Sequence, residues 1–134
     1  MYRCVCNFVV AWFCFVVFCN VASAQIFNVD ECSEIVSTVN AGLPQKVDKA
    51  TTLRSSTCLA NGIVAEFTYI YDLDMKQINV SSLPQSFVDT VIANVCSGPD
   101  TRVFLDGLTL LTYDYFEADT GKFFDRIQFS NKDC

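Results

Sequence analysis

Four widely spaced cysteines, Cys32, Cys58, Cys96 and Cys134, limit the folds open to this chain more than any other feature. No two of them are close enough to form the CxxC ligand pair that is typical of structural zinc sites. An even number of separated cysteines in a short exported domain predicts two disulfides instead, and three pairings are possible. A domain of this kind has a modest hydrophobic core that covalent links reinforce.

The first 24 residues explain why only four of the eight cysteines belong to the folded domain. Arg3 precedes an apolar run from Phe8 to Phe18, and the small residues Ala22, Ser23 and Ala24 follow. This order predicts a secretory signal peptide over residues 1–24 that is cleaved before Gln25. The apolar run, of about 11 residues, is too short to span a bilayer. We therefore expect a single mature domain, residues 25–134, that is periplasmic or secreted.

A lipoprotein signal is the alternative interpretation of the N-terminal segment. Cys14 and Cys19 lie in or just after the apolar run. Each follows a phenylalanine, however, whereas lipid attachment requires a small residue before the cysteine. The sequence therefore favours a soluble product over one that is lipidated at Cys19.

Hydrophobic periodicity in residues 25–134 predicts the element order α-β-β-α-α-β-β. A first helix begins near Asp30 and ends at Gly42, and a second and a third helix run from Pro84 to Cys96 and from Pro99 to Gly107, which is expected to be a left-handed cap. Strands are predicted over 46–57, 63–73, 108–117 and 122–130, with turns at Asn61–Gly62 and 119–121. The expected fold is α+β, an antiparallel sheet of about four strands with helices packed on one face.

Composition argues against several classes of function. The chain has no histidine, which removes the usual catalytic triads, most zinc sites and the common neutral-pH general base. After residue 24, eight basic residues against fifteen acids leave a net charge of −7, which disfavours nucleic acid and anionic membranes as partners. No cofactor or metal is predicted. The acid pairs Asp72 with Asp74 and Asp100 with Asp106 remain candidates for a carboxylate hydrolase, but a solvated surface explains them better.

Protein binding is the function class that remains, and strand alternation suggests a surface for it. If the odd-numbered strand positions face the helices, an apolar patch would occupy the opposite face of the sheet. Its predicted members are Val64, Ile70, Leu108, Leu110, Phe116 and Phe124. Residues 25–29 or loops could instead cover that face, or one strand could have the reverse register. A free strand edge offers a second mode of docking.

The second half of the chain resembles the beta class of type II secretion pilotins, small outer-membrane lipoproteins that act as chaperones for secretins. The similar residues are Phe87, Asn94, Val95, Cys96, Pro99, Thr101, Gly107, Tyr113, Tyr115, Thr120, Gly121 and Cys134, with a weaker match at Leu43 and Pro44. The resemblance implies one sheet with helices against it and a disulfide between Cys96 and Cys134. Cys32 and Cys58 would then form the second bridge.

The absence of a lipidation motif separates this chain from the pilotins that it resembles. Lipid anchoring lets a pilotin escort its secretin to the outer membrane, and a soluble relative could not act in that way. We therefore predict a monomeric, non-enzymatic binding or accessory domain with a protein or peptide partner. The alternatives are a pilotin that binds a secretin C-terminal tail and a secreted inhibitor or virulence factor.

Overall fold

The computed structural model describes residues 25–134, so the predicted signal peptide, its cleavage site and Cys19 lie outside the described residues. The elements in chain order are α1 (Val29–Asn40), β1 (Gln45–Lys46), β2 (Thr51–Ala60), β3 (Ala65–Leu73), α2 (Gln85–Ser97), α3 (Pro99–Asp106), β4 (Leu110–Glu117), β5 (Phe123–Phe129) and the short 3-10 helix η1 (Asn131–Asp133). The strands form one five-stranded sheet in the order β1-β2-β3-β4-β5.

The predicted α+β class, with helices against one face of the sheet, is confirmed. The sheet is mixed, however, because its central neighbours β3 and β4 are parallel while the other pairs are antiparallel. The chain leaves β3 at one end of the sheet and returns through α2 and α3 before it enters β4. A connection of that length can bring two parallel strands together, whereas a tight hairpin cannot.

The core lies between one face of the sheet and the apolar stripes of the helices. Its sheet side is made by Ala65, Phe67, Leu73, Leu111, Tyr113, Tyr115, Ile127 and Phe129. On the helix side, Ile35, Val36 and Val39 of α1, Val88, Val91, Ile92 and Val95 of α2, and Phe104 and Leu105 of α3 pack against it. On α1 and α2 the spacing of three and four residues is the amphipathic pattern from which these helices are predicted.

The first helix begins at a different cap from the predicted Asp30. Asn28 is the N-cap, and its side chain accepts a hydrogen bond from the Glu31 backbone N–H at 3.0 Å. In return, the Glu31 carboxylate accepts the Asn28 backbone N–H at 2.8 Å. This reciprocal capping box satisfies two helix-end donors at once, so it defines the helix start better than a single acid within the first turn.

The predicted first strand is divided into β1 and β2 by a tight turn at residues 47–50. Asp48 makes the turn, because its Oδ1 accepts the backbone N–H groups of Ala50 at 2.7 Å and Thr51 at 2.8 Å. The chain reverses there and β1 pairs with the start of β2. An aspartate that binds backbone two and three residues ahead is a common turn former.

Gly107 ends α3 in the right-handed region, with φ −80°, and is not the predicted left-handed cap. The position is close-packed instead. A Cβ atom built there would lie at or within 2.7 Å of three ring carbons of Phe27, whose backbone N–H donates to the Gly107 carbonyl at 2.9 Å. Ile26 and Phe27 therefore pack on the helix side of the sheet and do not cover the opposite face.

Gly107→Ala is expected to lower the free energy of unfolding by about 1–3 kcal/mol, because the methyl group displaces the Phe27 ring from a filled site. Gly42→Ala is the matched control, since nothing lies within 4 Å of its Cβ position and both changes restrict the unfolded chain equally. Urea unfolding of the two variants measures the difference. Equal stabilities would contradict the close packing of Phe27 on Gly107.

Two disulfides close the domain, one between Cys32 and Cys58 and one between Cys96 and Cys134. This is the pairing that the resemblance to pilotins implies. The first links α1 to β2, and the second links the end of α2 to the C-terminus. None of the helices within residues 25–134 has the length and apolar character needed to cross a membrane.

Candidate functional site

The sheet face opposite the helices does not form the continuous apolar patch that alternation predicts. Ile70, Leu110 and Phe116 lie at its strand positions, and Val64 lies in the turn before β3; all four are half-buried. Leu108 is only 3% exposed and belongs to the core, because it lies in the connection before β4 rather than in the strand. Its assignment to the open face is therefore wrong.

A register shift in β5 also moves Phe124 away from that face. Phe116 pairs with Phe123, whereas the preceding Tyr115 pairs with Asp125, so the strand contains one extra residue at Phe124. Phe124 packs against the core. Phe123 is 48% exposed, and its ring lies edge to face with that of Phe116, with 5.7 Å between the ring centroids. A β-bulge reverses the faces of the residues on one side of it, and simple alternation cannot show this.

Charged groups interrupt the apolar residues that remain on the open face. Arg126 forms a two-pronged ion pair with Asp114, at 2.6 and 2.9 Å, and Arg54 lies 3.1 Å from Asp72. The same two guanidinium groups sit over aromatic rings, Arg54 over Phe116 at 5.2 Å and Arg126 over Phe123 at 5.8 Å. The charged groups of this face are therefore internally paired, and two of its aromatic rings already contact a guanidinium group.

A concave site lies on the helix side instead, between α2 and the turn of residues 47–50. It has a volume of about 270 Å³, and we call it the tyrosine cleft. Its lining residues are Val47, Asp48, Thr51, Tyr71, Phe87, Val91, Asn94, Val95, Tyr113 and Tyr115. No lysine or arginine is among them.

Parallel pairing of β3 with β4 builds the aromatic floor of the cleft. The register places Tyr69 beside Tyr113 and Tyr71 beside Tyr115. The rings of Tyr71 and Tyr115 are stacked, with 5.1 Å between their centroids and 16° between their planes. The rings of Tyr71 and Tyr113 meet edge to face, with 5.8 Å between their centroids. Because the four tyrosines share one face of neighbouring strands, they form a ladder that opens toward α2.

One wall of the cleft is α2, which places Phe87 and Val91 one helical turn apart. The Phe87 ring lies edge to face with Tyr115 at 6.4 Å and is 42% exposed. Val91 lies deeper, against the core. The wall therefore combines an accessible aromatic ring with a partly buried aliphatic side chain, which is the surface that an apolar anchor residue contacts in a groove.

Burial keeps the tyrosine hydroxyl groups of the cleft neutral. Loss of solvent raises the pKa of Tyr71, Tyr113 and Tyr115 well above the ordinary value, and neighbouring tyrosines add to the effect. The Asp48 carboxylate, which also lines the cleft, adds a smaller contribution to the raised pKa of Tyr115. The cleft thus presents neutral hydroxyl groups and one carboxylate to a ligand.

Three of the four acids considered from the sequence, Asp72, Asp74 and Asp106, are engaged in local structure. Asp72 is paired with Arg54, and the Asp74 carboxylate accepts the Lys76 backbone N–H at 3.0 Å. Asp106 forms an ion pair with Arg102 at 3.2 Å, one turn away on α3. In the described part of the chain, no cluster of three or more metal-ligating side chains occurs.

Sequence reasoning found parts of this site without assembling it. Phe87, Tyr113 and Tyr115 stand among the residues that resemble the pilotins, and Tyr71 belongs to the alternating strand of residues 63–73. Nothing in the local sequence of Asp48 indicates that its turn approaches α2. The missing information was the parallel β3–β4 register, which brings residues more than 40 positions apart onto one floor.

Comparisons with known proteins support the fold and leave the family open. The sequence matches no protein-family model, and no curated protein shows significant similarity to it. Three solved structures are similar to the chain in fold. A protein from Pseudomonas aeruginosa that is described as secreted has a TM-score of 0.63 and 18% identity, and the match covers 78% of this chain and 90% of that one.

The other two similar structures are pilotins of type II secretion systems. AspS from Vibrio cholerae has a TM-score of 0.55 and 13% identity, over 77% of this chain and 88% of its own. EpsS from Vibrio vulnificus has a TM-score of 0.54 and 16% identity, and the match covers 77% of this chain and 87% of EpsS. The predicted pilotin-like fold is confirmed, and at these identities the likeness concerns the fold alone.

Proposed function

We propose that this protein is an exported, non-enzymatic accessory domain that binds a segment of a partner protein in the tyrosine cleft. The observation that carries the proposal is the cleft itself, a concave site with an aromatic floor, an accessible phenylalanine on α2 and one carboxylate. Binding sites for ligands and peptides are typically concave, largely apolar and provided with a few well-placed polar groups. The internally paired open face of the sheet lacks these properties.

An apolar segment of a protein is the partner that fits the shape of the site. The cleft follows one side of α2, where Phe87 and Val91 could pack against anchor residues spaced along a helix or an extended chain. The two pilotins of similar fold make a secretin C-terminal tail the first candidate. A secreted inhibitor or virulence factor is the second, which the neighbour described as secreted favours.

The two disulfides support the exported location. Disulfides persist in oxidising compartments such as the periplasm and the extracellular space, and they are rare in the cytosol. Two features support a binding role over catalysis. The chain has no histidine, the side chain that most often gains or loses a proton near pH 7. The tyrosines of the cleft have raised pKa values and stay neutral at that pH.

Photo-crosslinking from one position at a time tests the proposal. Phe87→p-benzoylphenylalanine places a photoreactive ring on the wall of the cleft, and Phe123→p-benzoylphenylalanine places the same group on the open face. The two phenylalanines are similarly exposed, at 42% and 48%, so each variant is the control for the other. The variants are produced in the native host, irradiated, and the adducts identified by mass spectrometry.

We expect one discrete protein adduct from position 87 and none from position 123. An adduct that contains a secretin tail would identify the protein as a pilotin, and a host or competitor protein would favour the secreted inhibitor. An adduct from position 123 alone would move the binding site to the open face, and no adduct from either position would contradict protein binding.

A further inference from the structure

We infer that the tyrosine cleft selects a basic side chain, lysine or arginine, that projects from an otherwise apolar segment of the partner. This inference rests on the proposed function, because it specifies the chemistry of the segment that the cleft binds. It depends on three properties of the site: its aromatic rings, its fixed carboxylate and the absence of a competing cation among its lining residues.

Aromatic rings are the first property. Phe87, Tyr71, Tyr113 and Tyr115 all line a space of about 270 Å³, which is large enough for one long side chain of the bound segment. A cation held against ring faces gains favourable electrostatic interaction with their π electrons, and the gain increases when water is excluded. The tyrosines retain neutral hydroxyl groups, which can accept hydrogen bonds from an ammonium or guanidinium group.

The carboxylate of Asp48 is the second property. Its Oδ1 accepts the backbone N–H groups of Ala50 and Thr51, so the side chain is held in one position at the mouth of the cleft. Asp48 lines the same space as Tyr71 and Tyr115, so its carboxylate belongs to the same site as the ring floor. Asp48 is exposed, so a basic side chain that entered the cleft could reach this fixed anion as well as the rings and form a charge-assisted hydrogen bond with it.

Within residues 25–134, no basic side chain lines this site. Lys46 and Lys49 flank Asp48 in sequence and line a neighbouring depression that Asp48 also lines, but neither lysine lines the cleft. Among residues 25–134, no basic side chain lies within 4.0 Å of the Asp48 carboxylate. The net charge of −7 after residue 24 also favours the approach of a basic segment over an acidic one.

A pair of synthetic peptides tests this inference on the folded domain. Each is an acetylated and amidated amphipathic helix of about 16 residues with a stripe of leucines. One carries a single lysine in the centre of the stripe, and the other carries norleucine, which has a similar length without the charge. Titration followed by NMR reports the dissociation constants and shows whether the resonances of Asp48, Tyr71 and Tyr115 shift.

The protein variants isolate the carboxylate. Asp48→Asn removes the charge but keeps the Oδ1 that accepts the two turn N–H groups, so the turn is preserved. Asp133→Asn is the matched control: this carboxylate also accepts a backbone N–H, that of Ser130 at 2.7 Å, and lies on η1 outside the cleft. The two variants have the same net charge.

The lysine peptide is expected to bind the unmodified domain and Asp133→Asn about tenfold more tightly than the norleucine peptide. Asp48→Asn should remove most of this preference. Equal binding of both peptides at the cleft would contradict the inferred preference for a basic side chain, while the proposed binding of a partner segment would stand. Shifts outside the cleft, or none, would also overturn it, and the cross-linking experiment then decides the proposed function independently.

Discussion

Replacing Cys96 and Cys134 together by serine is expected to lower the free energy of unfolding by about 4 kcal/mol in the loop-entropy account of disulfides. The bridge joins residues 38 positions apart and ties the C-terminus, after β5 and η1, to the end of α2. Without the bridge, the unfolded chain gains conformational entropy, because the loop is no longer closed. A domain of this size has only about 5–15 kcal/mol in total, so the loss is a large part of its stability.

Thermal unfolding followed by circular dichroism measures this effect, with the double variant Cys32→Ser and Cys58→Ser as its companion. That bridge spans 26 positions. The same loop-entropy relation gives a loss of unfolding free energy that is only a few tenths of a kcal/mol smaller than for the Cys96–Cys134 bridge. Two similar decreases in melting temperature are therefore expected. An unchanged melting curve for the first variant would contradict a Cys96–Cys134 bridge that contributes to stability.

Phe124→Asp is expected to destabilise the domain by about 2–4 kcal/mol, whereas Phe123→Asp should cost less than about 1 kcal/mol. Phe124 packs against the core, so a carboxylate there would lose solvent without gaining a partner. Phe123 is 48% exposed on the open face, where the Arg126 guanidinium lies over its ring. A carboxylate at position 123 stays solvated and close to a positive charge.

Chemical denaturation of the two adjacent variants compares the same substitution on the two sides of the bulge. Both substitutions add one negative charge to β5, so the effect of net charge on stability is the same in the two variants. The reverse order of stabilities would place Phe124 on the open face and would contradict the bulge between Tyr115 and Phe116. It would also restore the apolar patch that strand alternation predicts.

The two faces of the sheet differ in how their polar groups are satisfied, and this difference guides the choice of a binding site. On the open face, Asp114 and Arg126 hold each other in a two-pronged pair, and Phe116 is covered by Arg54. A partner there would have to displace contacts that the protein already makes. No basic residue lines the tyrosine cleft within residues 25–134, so a basic ligand there would not have to displace an internal cation.

Local patterns in the sequence determined most elements of the fold. Proline and glycine punctuation and three-to-four spacing placed α2 and α3, and period-two alternation with Asn61–Gly62 placed β2 and β3 as a hairpin. These features depend on residues within one or two turns of each other, and such short-range preferences are expressed in the sequence itself. The spaced cysteines likewise predicted two disulfides, although only the resemblance to pilotins implied their pairing.

Tertiary structure alone decided the parallel β3–β4 pairing, the bulge at Phe124 and the approach of Asp48 to the tyrosines. Each depends on contacts between distant parts of the chain, where the free energy of packing the whole core outweighs any local preference. The register of two strands is fixed by what their side chains bury together, and a shift of one residue exchanges the faces. The sequence therefore determined which residues were available for a site, and the packing of α2 and the 47–50 turn against β3 and β4 determined which of them meet.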